Sequence, residues 1–117
     1  MALFDNNADQ LVNTAEEIAY KLANGKVKAH QMRRIFEQVQ YIHDKVFHSG
    51  FTKVQRDLKL LKPQLAYAVH RKPELSPLHE EFSRLVDRIS DKEDVQEFYD
   101  FLMAVMCYHK YYYKEQS

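Results

Sequence analysis

Basic side chains recur at helical spacing through the middle of the chain. On a helix running from about His30 to His48, His30, Arg34, Tyr41 and Lys45 fall at steps of 0, 4, 11 and 15. That spacing places them on one face, with Gln38 beside them and Met32, Val39 and Val46 on the opposite side. Lys53, Arg56 and Lys59 follow at intervals of three, pointing away from a Val54–Leu58–Leu61 stripe, and Lys62 continues the spacing. Such a surface can make ionic contact with phosphates while an interleaved tyrosine stacks on a base. The alternative is an ordinary solvated helix face. Only Glu37, Asp44 and Asp57 accompany 12 Lys and Arg in residues 21–72. Most of these cations therefore lack an acid at i±3 or i±4; Arg33–Glu37 and Lys53–Asp57 are exceptions, spaced for surface ion pairs.

Other chemistries find no matching pattern. The residue three before each of the six histidines is never Glu, and no two histidines are four apart, so neither a di-iron bundle nor a zincin helix is written here. His43 and His48, five apart, point to different faces. An α-helical ribonuclease with Arg four to six residues before a catalytic His is not matched, since Arg71 and His79 have seven residues and two prolines between them. Cys107, in the run Leu102-Met103-Ala104-Val105-Met106, reads as a small core residue. The acids of Ser90-Asp91-Lys92-Glu93-Asp94 suit a helix N-terminus better than a catalytic pair. Two glycines cannot build a phosphate-cradling loop. The expectation is no enzyme, no metal and no cofactor.

The elements that must carry the basic face are helices. The chain has 117 residues, 45% hydrophobic and 29% charged, which suits one globular domain. One cysteine excludes an internal disulfide, no apolar run approaches a membrane span, and the start lacks the pattern of a secretory signal, so a cytoplasmic protein is expected. The formal charge is zero, yet residues 1–20 hold four acids and no Lys or Arg, and residues 73–117 hold 10 acids against 5 Lys and Arg. The basic middle thus lies between two acidic ends, and neutrality says nothing about partners.

Leu11, Ala15, Ile18 and Leu22 mark a first helix ending at Asn24-Gly25, where glycine could take the left-handed closing conformation. The second carries Met32, Ile35, Phe36, Val39, Ile42, Val46 and Phe47 and is followed by Gly50. A third holds Phe51, Val54, Leu58 and Leu61, with Pro63 either kinking it or starting a new segment. Ser76-Pro77 reads as an N-cap and first helical residue before Leu78, Phe82, Leu85, Val86 and Ile89. Ser90 and Glu93 have the form of a capping box before a last helix through Val95, Phe98, Phe101, Leu102 and Val105 to Tyr112. The fold class expected is all-α, a compact single-domain bundle of five or six helices over residues 9–114, with flexible ends at 1–8 and 115–117. In the tyrosine-rich end, Tyr108 and Tyr112 are expected to pack, while Tyr111 and Tyr113 stay open between packing and base stacking.

Three stretches in order resemble a known family. They are His30-Gln31-Met32-Arg33-Arg34-Ile35-Phe36; Leu60-Leu61-Lys62-Pro63-Gln64-Leu65-Ala66-Tyr67-Ala68-Val69-His70-Arg71; and Phe98-Tyr99-Asp100-Phe101 with Cys107-Tyr108-His109-Lys110-Tyr111-Tyr112. Together, over roughly residues 20–113, they are similar to the small α-helical subunit of the type III-A CRISPR effector, the Csm complex. The resemblance implies a non-catalytic subunit that contacts guide RNA and target RNA along their backbones without reading sequence. It also implies stacking of several copies beside the backbone RNase subunit and the large signalling subunit, with no membrane partner. Arg33, Lys62 and Arg71 occupy the family's basic positions, although Arg33 is also spaced to pair with Glu37. Arg34, Lys45, Lys53, Arg56 and Lys59 join them on geometry. The family usually has Thr or Ser where Lys28, Ala29 and His30 stand, so the N-cap of the second helix is weak, and Cys107 replaces a common small residue. The competing reading is a helical scaffold that self-associates through its basic and acidic faces without nucleic acid.

Overall fold

A computed structural model describes residues 3–113; the end expected to be flexible at 115–117 lies outside them. Five α-helices follow one another: α1 (Ala8–Asn24), α2 (Ala29–Ser49), α3 (Gln55–Arg71), α4 (Ser76–Val86) and α5 (Lys92–Tyr112). Single 3-10 turns at Phe51–Lys53 and Pro73–Leu75 lead into α3 and α4. No strand occurs among the described residues, and the architecture is the expected all-α bundle. The apolar stripes explain the packing. α5 turns one side to α1 and another to α2, while α4 packs on α3 and α1. Leu22, Met32, Val39, Leu78, Phe82, Leu85, Phe98, Phe101 and Leu102 meet in one core. No helix among these residues is long and apolar enough to cross a membrane.

The helix starts differ in detail from the sequence reading. Asp91, not Ser90, caps α5: its carboxylate accepts from the Asp94 N–H at 2.8 Å. The buried Asp94 carboxylate turns back to accept from the Ser90 N–H at 3.0 Å and the Ser90 hydroxyl at 3.1 Å. No reciprocal box closes on Asp91: it stands on extended backbone and caps the helix, while the Asp94 carboxylate reaches past it to Ser90, which serves as donor. Ser76 is the first residue of α4 rather than its cap, and its hydroxyl donates to the Pro73 carbonyl at 2.7 Å. At α2 the lysine side chain of Lys28 cannot accept a hydrogen bond. Gln31 supplies half a box instead, its Oε1 accepting from the Lys28 N–H at 2.9 Å. Pro63 lies inside one continuous α3 and starts no new segment. Its ring faces solvent, where the unpaired carbonyl one turn back can be hydrated.

Each glycine has its own reason. Gly25 has φ −77°, and the left-handed position falls on Lys26 at φ 62°. Gly25 is small because the Pro73–Leu75 turn crosses it: a Cβ there would lie 3.0 Å from Glu74 Cβ. Gly50 has φ 90° and ψ 163°, a region open essentially to glycine alone, with nothing near its missing side chain. Gly50→Ala is therefore expected to destabilise the fold by about 1–3 kcal/mol through backbone strain alone. Thermal unfolding checks this, and an unchanged midpoint would refute the strain argument.

Two side chains, Cys107 and Phe47, take places the sequence did not suggest. Cys107 is exposed; α5 turns Phe98, Phe101, Leu102, Val105 and His109 inward, and residue 107 falls two steps from both 105 and 109. His109 fills the core position, its Nε2 bonding the Val27 carbonyl at 2.7 Å. Phe47, expected in the apolar stripe of α2, is exposed. The segment ahead of α1 lies on the bundle: Leu3 and Phe4 are buried, and the Phe4 N–H donates to the buried Glu97 carboxylate at 3.0 Å.

Candidate nucleic-acid interface

The eight cations expected to meet RNA do not form one row. Arg33 and Arg34 are adjacent on α2, so a rotation of about 100° sends them to different sides. Arg33 joins Met106, Lys110 and Tyr113 in a cleft against α5. Arg34 turns to α3, where it lines a groove with Gln38 and Gln64. The spacing of Arg33 with Glu37 does not produce an ion pair: Glu37 lines that same groove on the far side from Arg33. Arg71 reaches the groove from α3, next to His30 and Lys72. Lys53, in the 3-10 turn ahead of α3, and Arg56, in the first turn of α3, stand exposed.

Three cations have their charge partly answered. Lys45 meets Asp57 at 3.0 Å across the α2–α3 corner, and this hydrogen bond holds its ammonium above the ordinary lysine range. Asp57 is thereby taken from Lys53, which lies in the 3-10 turn where a helical i, i+4 pairing has no geometry. Lys62 meets Asp87 at 2.8 Å, and its hydrogen bond holds that carboxyl below the usual range, with Lys59 adding to the effect. Lys59 sits beside it, lining the cleft between α3 and the end of α4. Arg33, Arg34, Lys53, Arg56 and Arg71 make no ion pair among the described residues.

The α2–α3 groove has further residues that the sequence reading did not single out as a site: Leu60, Gln64, Tyr67 and Lys72. The signal was present, since Leu60, Gln64, Tyr67 and Arg71 are spaced four, three and four apart. It was masked because the whole stretch contains the strongest apolar pattern of α3, and the groove appears only once α2 is set beside it. Among the described residues no three His, Cys, Asp or Glu side chains gather as a metal site.

The tyrosine-rich end divides. Tyr108 and Tyr112 are half-buried, and the Tyr112 hydroxyl donates to the Glu16 carboxylate at 2.6 Å, with its ring edge-on to Tyr20. Tyr113 stacks on His109, whereas Tyr111 is 73% exposed. The bond to Glu16 and burial push the Tyr112 phenol up to about 12. A raised folded-state value favours the neutral phenol, so its contribution to stability is present below the ordinary tyrosine range and lost as pH rises through about 12. In an alkaline titration followed by tyrosinate absorbance, the Tyr112 step is expected at about 12, and Glu16→Ala should move it down toward the ordinary tyrosine range. A titration unaffected by Glu16→Ala would refute the assignment.

The model of a family described as Csm2 Type III-A matches residues 5–115. No curated protein and no solved structure matches the chain.

Proposed function

We propose that this chain, which belongs to the Csm2 Type III-A family and so is a small subunit of the type III-A Csm complex, serves there as a non-catalytic clamp on the RNA backbone. The observation that carries the reading is the set of exposed cations on α2 and α3 without acidic partners, led by Arg34, Arg56 and Arg71. Exposed guanidinium groups are the side chains best matched to phosphates. Arg33 and Lys53 extend the set, and Lys45, Lys59 and Lys62, whose charge Asp57 and Asp87 partly answer, contribute less. Sequence would be supplied by pairing between guide RNA and target RNA, so the protein needs no readout of its own. Other copies of the chain, the backbone RNase subunit and the large signalling subunit would be its neighbours in a cytoplasmic particle.

The test is equilibrium binding of the full chain to RNA of unrelated sequences at several salt concentrations. About four phosphate contacts on a single strand give a log–log slope near −2.8, hence a roughly 50-fold loss of affinity between 50 and 200 mM salt. Similar affinity for all sequences is expected. Salt-sensitive self-association without any RNA binding would overturn the proposal in favour of a scaffold.

A further inference from the structure

We infer that the α2–α3 groove seats unpaired nucleobases, a reading that rests on the backbone contact proposed above and adds which state of the strand this surface takes. Two cavities of about 520 and 380 Å³ lie in the groove and share Arg34, Gln38 and Gln64. Each is within the size range of sites that hold small ligands, about 300–1,000 Å³.

An aromatic ring stands in each cavity. Tyr41, on the α2 wall, is 60% exposed, and Tyr67, on the α3 wall, is 63% exposed. Neither ring is needed by the core, which α2 fills with Met32, Ile35, Val39, Ile42 and Val46, and α3 with Leu58, Leu61 and Leu65. Tyr41 lines one cavity and Tyr67 the other, so the two rings do not share one position in the groove. Each can take its own base. Lys45 lies 5.6 Å from the Tyr41 ring centroid and covers one of its faces, which leaves a single platform rather than a slot.

The polar groups match the same ligand. Gln38 and Gln64 offer amides that both donate and accept, so they can satisfy the edge of any base without choosing among them. Arg34 and Arg71 place positive charge where the strand's phosphates would run, and Lys72 beside them is shared with Glu74 at 3.9 Å. Glu37 and Asp57 are the acids at the other end, and Asp57 is held by Lys45. A base inside a duplex has its faces covered by its neighbours and its edge by its partner. Only an unpaired base can meet a tyrosine face and a glutamine amide together.

The experiment compares the full chain binding an oligouridylate and a hairpin duplex with the same number of phosphates, by fluorescence anisotropy across salt. The variants are Tyr41→Ala with Tyr67→Ala, the same pair changed to Phe, and Arg34→Glu. The expected result is tighter binding to the oligouridylate than to the hairpin, and at least a tenfold loss on the oligouridylate for the double alanine variant. Its salt slope and its hairpin binding should be unchanged, and the phenylalanine pair should bind as the unaltered chain does. Arg34→Glu should instead flatten the salt slope for both RNAs. A double alanine variant that binds the oligouridylate normally, or loses both RNAs equally, overturns the base site while the backbone contact stands. An unaltered chain that binds neither RNA overturns both.

Discussion

Changing Arg34, Arg56 and Arg71 together to glutamate is expected to weaken RNA binding by roughly 100- to 1,000-fold at low salt and to flatten its salt dependence. The estimate comes from counterion release. Each lost contact to a single strand removes about 0.7 from the log–log slope, which near 50 mM salt is worth roughly eightfold in affinity. Three contacts multiply to a few hundredfold, before any repulsion from the new carboxylates. All three arginines are exposed and none forms an ion pair among the described residues, so the triple variant should fold normally. The matched control is Lys62→Met. Its ammonium already lies 2.8 Å from Asp87, so its removal should change RNA affinity little. The measurement is the pair of slopes and intercepts for both variants. The triple variant changes the net charge by six units and the control by one, so equal losses per unit of charge would mean that net charge, not the α2–α3 surface, attracts RNA.

The helices were legible because the chain states them redundantly. Apolar residues at steps of three and four recur in every one, and the breaks carry Gly, Pro or a capping residue. The errors have local causes. Ser90-Asp91 offers two adjacent caps, and periodicity cannot tell which backbone is extended; the burial of Asp94 decides it. Cys107 looked apolar by its neighbours, but position on the α5 wheel, not local composition, sets exposure. Gly25 read as a conformational glycine and is a steric one, because the Pro73–Leu75 turn that crosses it is 48 residues away in sequence. The candidate site was half legible. Which residues are basic, and on which helix, is a local property. Whether Arg33 and Arg34 serve one surface or two depends on which helix lies on each side of α2. Pairing of Lys45 with Asp57, and of Lys62 with Asp87, joins separate elements in the same way. These long-range facts have no signature in spacing.

Phe4→Ala is expected to destabilise the bundle by about 3–5 kcal/mol, a large share of the roughly 5–15 kcal/mol that holds a domain of this size. Nothing in the local sequence announces this, since Met1–Ala8 lacks helical periodicity and reads as a free end. Phe4 is 1% exposed, with its ring 5.3 Å from that of Phe101 and the Arg84 guanidinium 5.5 Å from its centroid. Truncation would leave a cavity beside α5, the helix on which α1 and α2 both pack, so the surroundings have little freedom to collapse into it. The expected fall in melting temperature is about 10–20 °C. Removing residues 1–5 should cost still more. The Phe4 N–H is the donor to one Glu97 carboxylate oxygen, and the other oxygen has no partner among the described residues. Arg88 would also lose the Leu3 carbonyl and Asp5. Without the segment, Glu97 is a carboxylate set into apolar surroundings with no protein donor in place, a costlier state than losing both partners together. Glu97→Met should therefore recover part of the loss in the truncated chain while destabilising the full one. Calorimetry of the four proteins decides the point. A truncated chain that melts with the full one would show that the segment before α1 is dispensable, and would place the stability of α5 wholly in its contacts with α1 and α2.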